Sequence, residues 1–113
     1  MKLIEEGISR AELREMAQGT FGSFVKAVVD VERGVMAVDA PMHSDEEAEL
    51  LRTGSRQENL WGINLYPDEA DDAFVEFDSM INLRPSQDNR SRGVDSAEIR
   101  ESITRIVGRL VQG

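Results

Sequence analysis

The chain has 113 residues, with 13 Lys and Arg against 22 Asp and Glu, one His and no Cys, giving a formal charge of -9. Zero Cys excludes disulfides, thiolate metal sites and a Cys nucleophile, and a lone His43 excludes any site that needs two imidazoles. The acidic balance argues against nucleic acid and anionic membrane surfaces as partners, and the length is that of one domain, 1–113, able to bury a core without staples.

Taken in chain order, Leu3 and Ile4 can add a short edge strand before the first helix signal, Ser9-Arg10-Ala11-Glu12. A capping residue followed three positions later by Glu is a capping box, and it predicts a helix over Ala11 to Gln18 that Gly19 stops. Val25, Ala27, Val29 and Val31 are then apolar at alternate positions, the period of a half-buried strand. Arg33-Gly34 turns the chain into Val35 to Val38, so Phe24 to Asp39 reads as a hairpin. A second capping box, Ser44 to Glu47, opens a helix over Asp45 to Arg52, and Gly54 supplies the left-handed residue that ends it.

Leu60 to Tyr66 leads through the acidic turn Pro67 to Asp72 into Phe74 to Arg84, which reads as a second hairpin. On its last strand the odd positions Val75, Phe77, Ile81 and Leu83 are apolar, while Glu76, Asp78, Asn82 and Arg84 share the even face. Asp95-Ser96-Ala97-Glu98 is a third capping box, with Asp95 as the cap. It opens a helix whose stripe is Ile99, Ile103, Ile106, Val107 and Leu110.

Helix, hairpin, helix, hairpin, helix predicts an α+β domain of about four mainly antiparallel strands with three helices packed largely on one face. Val29 and Phe77 are expected to face those helices. The chain turns acidic after Leu3-Ile4, and no stretch reaches the 18 or so apolar residues of a spanning helix, so a soluble cytoplasmic protein is expected.

The runs Ala27 to Glu32, His43 to Ala48, Leu60 to Pro67 and Phe77 to Gln87, with Asn89-Arg90-Ser91-Arg92-Gly93, resemble a small prokaryotic family of uncharacterised domains of unknown function. The resemblance spans nearly the whole chain. It implies a stand-alone bacterial or archaeal protein and brings no activity, cofactor or catalytic residue with it.

Three segments can carry chemistry. Residues 84–93 hold three Arg among hydrogen-bonding side chains, and charge is uneven along the chain. Residues 1–83 carry 7 basic and 18 acidic groups, whereas 84–113 carry 6 and 4. Arg84, Arg90 and Arg92, with Gln87, Asn89, Ser91 and Asn82, are therefore candidates for holding an anionic small molecule, because guanidinium forks match carboxylate and phosphate oxygens. Against this stands a purely internal role, with the Arg groups pairing to Asp78, Asp88 or Asp95 and pinning the loop.

The second segment, His43 to Glu47, has the composition of a hard-metal ligand set, but capping and the helix dipole already account for its acids, so no metal is expected there. His43 is left as a general acid or base. The third is the even face of the last strand, where Asp78, Asn82 and Arg84 can converge with Asn64 beside the Arg loop.

Two functions remain open. One is a non-enzymatic binding or interaction module, which takes an anionic ligand on the Arg-rich loop or mates with a second copy or a partner protein through an open sheet face anchored by Trp61, Tyr66, Phe74 and Met80. The other is a small enzyme acting on a phosphorylated or carboxylated metabolite through Arg84, Arg90 and Arg92, with Asp78 or His43 moving a proton. No cofactor is called for in either, and the binding module is favoured because no diagnostic catalytic set is present.

Overall fold

Alternation at Val25, Ala27 and Val29 sets the central strand of the fold, which is seen in a computed structural model that describes residues 1–113. Five antiparallel strands lie in the order β1 (Lys2–Ile4), β4 (Val35–Val38), β3 (Val25–Asp30), β5 (Leu60–Leu65) and β6 (Val75–Glu76). Both expected hairpins form: β3 pairs β4 with Val29 opposite Met36, and β5 pairs β6 with Leu65 opposite Val75. Leu3 and Ile4 do add an edge strand, against Ala37 and Met36. A two-residue parallel pair, β2 (Ile8–Ser9) with β7 (Val111–Gln112), lies outside the main sheet.

The odd residues of β3 share the main core with Trp61, Ile63 and Leu65 of β5, Leu13 and Ala17 of α1 (Arg10–Gln18), and Ile103, Ile106, Val107 and Leu110 of α3 (Ala97–Leu110). Val29 is fully buried there, and Phe77 packs against the same cluster. Each such apolar side chain contributes about 1.5–3 kcal/mol on leaving water. The α+β class holds, with two of three helices on one face. The third, α2 (His43–Arg52), lies on the other, where Leu50 meets Val28, Val35, Ala37 and Leu60. β3 and β5 are consequently covered on both faces by helix and loop.

Local chemistry decides where the elements begin. Ser9 Oγ accepts from the Glu12 amide at 3.0 Å, and Gly19 follows the last residue of α1. Two caps differ from expectation. α2 starts at His43 behind Met42, two residues earlier than expected, and Ser44 is not its cap: His43 and Glu46 both turn inward from its first turn. α3 is capped by Ser96, whose Oγ accepts from Ile99 N, because Asp95 is already engaged by the preceding loop. At the far end of α2, Gly54 has φ +108, and its amide and that of Ser55 return to Leu51 and Leu50 carbonyls, the left-handed stop the sequence predicts.

The long strand expected over Phe74 to Arg84 is not formed. β6 ends at Glu76, and single 3-10 turns occupy Met80–Asn82 and Pro85–Gln87. The reason is visible at Gly62: Asn82 Oδ1 accepts from the Gly62 amide at 2.8 Å and its Nδ2 donates to the Gly62 carbonyl at 2.9 Å. One side-chain amide thus does for β5 what a strand residue would, and the backbone is free to turn. Ser79 supports the turn by accepting from Ile81 N. The odd and even faces read over 77–84 lose their meaning with the strand, and Asn82 is fully buried rather than on a solvated face.

Candidate functional site

The Arg-rich loop is ordered around Asn89, which is 2% exposed. Its Nδ2 donates to the carbonyls of Asn82, Ser91 and Gly93 at 2.8, 3.2 and 2.9 Å, and its Oδ1 accepts from Asp95 N at 2.8 Å. Asp95 accepts from Ser91 Oγ at 2.6 Å and from Arg90 N at 2.8 Å, and these bonds, the Ser91 hydroxyl first, hold its carboxyl below the usual range. Arg84 lies over the Trp61 ring, 4.2 Å from its centroid, and donates to the Gln57 and Leu60 carbonyls. Gln87 donates to the Glu58 carbonyl.

Arg84, Gln87, Asn82, Asn89 and Ser91 are therefore engaged inside the chain. The Arg90 side chain is exposed and has no partner within the chain, whereas Arg92 Nε donates to Asp78 Oδ1 at 2.8 Å and so reaches a different place.

That place is a half-open pocket of about 510 Å³ on the α2 side of the sheet. Register assembles its floor. Lys26 of β3 stands opposite Asn64 of β5, and Asn64 opposite Glu76 of β6, so one polar row crosses three strands. Met42 and the first residues of α2, His43 and Ser44, close one side, and 78–81 with Arg92 close another. Phe24 supplies apolar lining at one end of the row and packs against Tyr66 at 5.4 Å and Phe21 at 4.7 Å. Gly62 is required beneath: a Cβ there would lie 2.5 Å from Ser79 Cβ and 3.2 Å from His43 Cδ2, so only glycine lets turn and helix close on the strand.

His43 is 7% exposed, and its Nε2 lies 2.8 Å from the Ile63 carbonyl. A carbonyl only accepts, so Nε2 carries the proton and Nδ1 keeps the lone pair. Burial holds this imidazole below its ordinary pKa, with nearby Lys26 and Arg92 adding to the effect and the Ile63 bond and Asp78 opposing it.

Lys26 has no carboxylate partner; its ammonium lies 5.2 Å from the centre of the Phe21 ring. Asn64 donates to Glu76 Oε1 at 2.8 Å and to the Asp78 carbonyl at 3.4 Å, which leaves its buried Oδ1 unpaired. Tyr66 OH also donates to Glu76 Oε1, at 3.0 Å.

Of the residues singled out from sequence, His43, Asp78 and Arg92 meet in this pocket with Asn64 and Glu76, while Arg84, Gln87, Asn89 and Ser91 lie outside it. Trp61 and Phe74, expected as anchors on an open sheet face, are 2% and 8% exposed inside the α1/α3 core; of that set only Met80 and Tyr66 reach the α2 side. Glu46, expected at the helix start as a dipole-favoured anion, is fully buried. Its Oε2 accepts from Ala40 N at 3.1 Å, its Oε1 has no partner, and burial pushes its pKa up to about 9. It is a neutral acid at pH 7.

Lys26 is the pocket residue that sequence reasoning passes over, since a Lys on an alternating strand reads as solvated until the facing helix is known to end short of it. An isolated Gly62 inside an apolar strand was the available signal, because such a glycine marks a close approach by another part of the chain.

The family model for proteins of unknown function, DUF5674, matches residues 2–110, and the chain belongs to that family. No curated protein and no solved structure matches it.

Proposed function

We propose that this protein is a non-enzymatic binding domain that holds a small molecule with an anionic group in the pocket between α2 and the β3–β5–β6 face. The observation that carries the reading is the pairing in one cavity of Lys26, a cation without a carboxylate partner in an acidic protein, with Arg92. Ammonium and guanidinium donors, the Ser44 hydroxyl and the amides at the start of α2 suit carboxylate or phosphate oxygens. Met42 and Met80, exposed at the rim, supply adaptable apolar contact for the rest of the ligand. Zero Cys suits a reducing cytoplasm, and that is the compartment this reading assumes.

Thermal melts with phosphate, nucleotides and dicarboxylates test it. A ligand at 100-fold its dissociation constant should add about 2.7 kcal/mol of stability, and Lys26→Ala or Arg92→Ala should abolish that gain. A panel in which no anion raises the melting temperature would refute the reading.

One feature favours the enzymatic alternative. His43 is held neutral with its Nε2 proton fixed on Ile63, so Nδ1 is a ready base next to Asp78 in the same pocket. In that case a bound phosphorylated or carboxylated metabolite would be turned over, and His43→Gln would retain binding while losing turnover.

A further inference from the structure

We infer that the ligand of this pocket is a zwitterion whose cationic and anionic ends are several ångström apart. The inference rests on the binding role proposed above and gives that role a ligand class. Charge pairing in the lining comes first. Asp78 and Arg92 offset each other in net charge across a 2.8 Å bond, which uses Arg92 Nε and leaves its terminal nitrogens as donors. That leaves Lys26 and Glu76, one positive and one negative, neither with a charged partner.

The sheet register then fixes where those two stand. Lys26 and Glu76 lie opposite Asn64 from its two sides, on β3 and β6, so they face the pocket from opposite ends of one row. Two strand spacings separate their backbones by about 10 Å, and they do not bond to each other. Glu76 is oriented by Asn64 and Tyr66, which both donate to Oε1, and this leaves Oε2 as a free acceptor. The Lys26 ammonium lies instead 5.2 Å from the centre of the Phe21 ring.

Between the two charges the buried Asn64 Oδ1 is an unused acceptor. Turning the amide over would set its oxygen against the Glu76 carboxylate, so the orientation is determined and the acceptor is real. A lining with a free cation at one end and a free carboxylate oxygen at the other complements a molecule with an anionic head and a hydrogen-bond-donating cationic tail. A simple anion would satisfy only the Lys26 end and would leave a carboxylate facing it from the other.

Matched probes separate the contributions of the two ends. 6-Aminohexanoate, 4-aminobutyrate and 3-aminopropionate are to be compared with hexanoate and hexylamine by calorimetry and thermal melts on the full chain. The expected result is that at least one amino acid binds at least 10-fold more tightly than either single-charge analogue. Glu76→Gln should then reduce its affinity to that of hexanoate, and Lys26→Met to that of hexylamine.

Equal binding of hexanoate and the zwitterions, unaffected by Glu76→Gln, would overturn the inference while the anion-binding role stands. Hexylamine binding as tightly as the amino acids, with no anion bound, would overturn both. Should phosphate or a dicarboxylate raise the melting temperature while every zwitterion fails, the inference falls alone. Glu76 is exposed and Lys26 half-buried, and the melting temperatures of both variants without ligand establish whether the fold is intact.

Discussion

Glu46 makes stability depend on pH in a direction opposite to that of most carboxylates. Its folded pKa is about 9 against an ordinary value of 4.5, so between those limits the native state holds a proton that the unfolded chain releases. Stability attached to this group is complete below pH 4.5 and is lost as pH rises toward 9. At about 1.4 kcal/mol per pH unit, the interval from 4.5 to 7 costs about 3 kcal/mol.

Glu46→Gln removes the ionisation and keeps an oxygen for the Ala40 amide. The new amide N–H, placed where Oε1 has no partner, resembles the acid's own proton and adds little further cost. The variant should therefore match the wild type near pH 4.5 and exceed it at pH 7 by about 3 kcal/mol. That is roughly 10 °C in melting temperature for a domain of this size. Urea titrations of both proteins from pH 4.5 to 8 give the difference curve, in which all other titrating groups cancel. Parallel curves, or a variant weaker than wild type at pH 7, would refute the claim that Glu46 is held neutral by burial.

Gly62→Ala should destabilise by more than about 2 kcal/mol in denaturant titration, because its Cβ would meet Ser79 at 2.5 Å, and adding Ser79→Gly should recover part of the loss. Asn89→Ala strands three carbonyls and the Asp95 amide, so a cost of about 2–4 kcal/mol and faster amide exchange across 84–93 are expected; exchange unchanged there would mean that the loop is held by something else. Imidazole NMR should find His43 as the Nε2–H tautomer, titrating below its ordinary 6.5. Since the unfolded chain gains that proton first, the His43 contribution to stability is present above pH 6.5 and is lost as the pH falls.

The apolar alternation and the first and third helices were legible because each depends on neighbours along the chain. Val25 to Val29 can bury one face only as a strand, and Ile103 to Leu110 can do so only as a helix. The segment after Glu76 was not legible, for an equally physical reason. Its alternation is real, but the outcome turns on Asn82 finding the two polar groups of Gly62, 20 residues away in sequence, and no local rule anticipates a side chain replacing a strand.

The pocket shows the same division. His43, Asp78 and Arg92 stood out by residue type, whereas Lys26 became interesting only when register set it on one row with Asn64 and Glu76. The inward turn of Glu46 was partly readable, since it shares a helical face with His43 and Leu50 at spacings of three and four. Its carboxylate made a solvent-facing role the cheaper assumption.

The side chains that replace β6 beyond Glu76 also occupy backbone groups that would otherwise be an open sheet edge. Beyond Glu76 no strand covers β5, and the backbone groups of Leu60 and Gly62 that point outward would form an unpaired sheet edge, a template for edge-to-edge aggregation. Asn82 occupies both groups of Gly62, and Arg84 occupies the Leu60 carbonyl with its cation across the Trp61 ring. An incoming strand from a neighbouring molecule would meet an amide already bonded and a charge that resists burial. The two side chains therefore close this stretch of sheet edge, although they add little apolar area to the core.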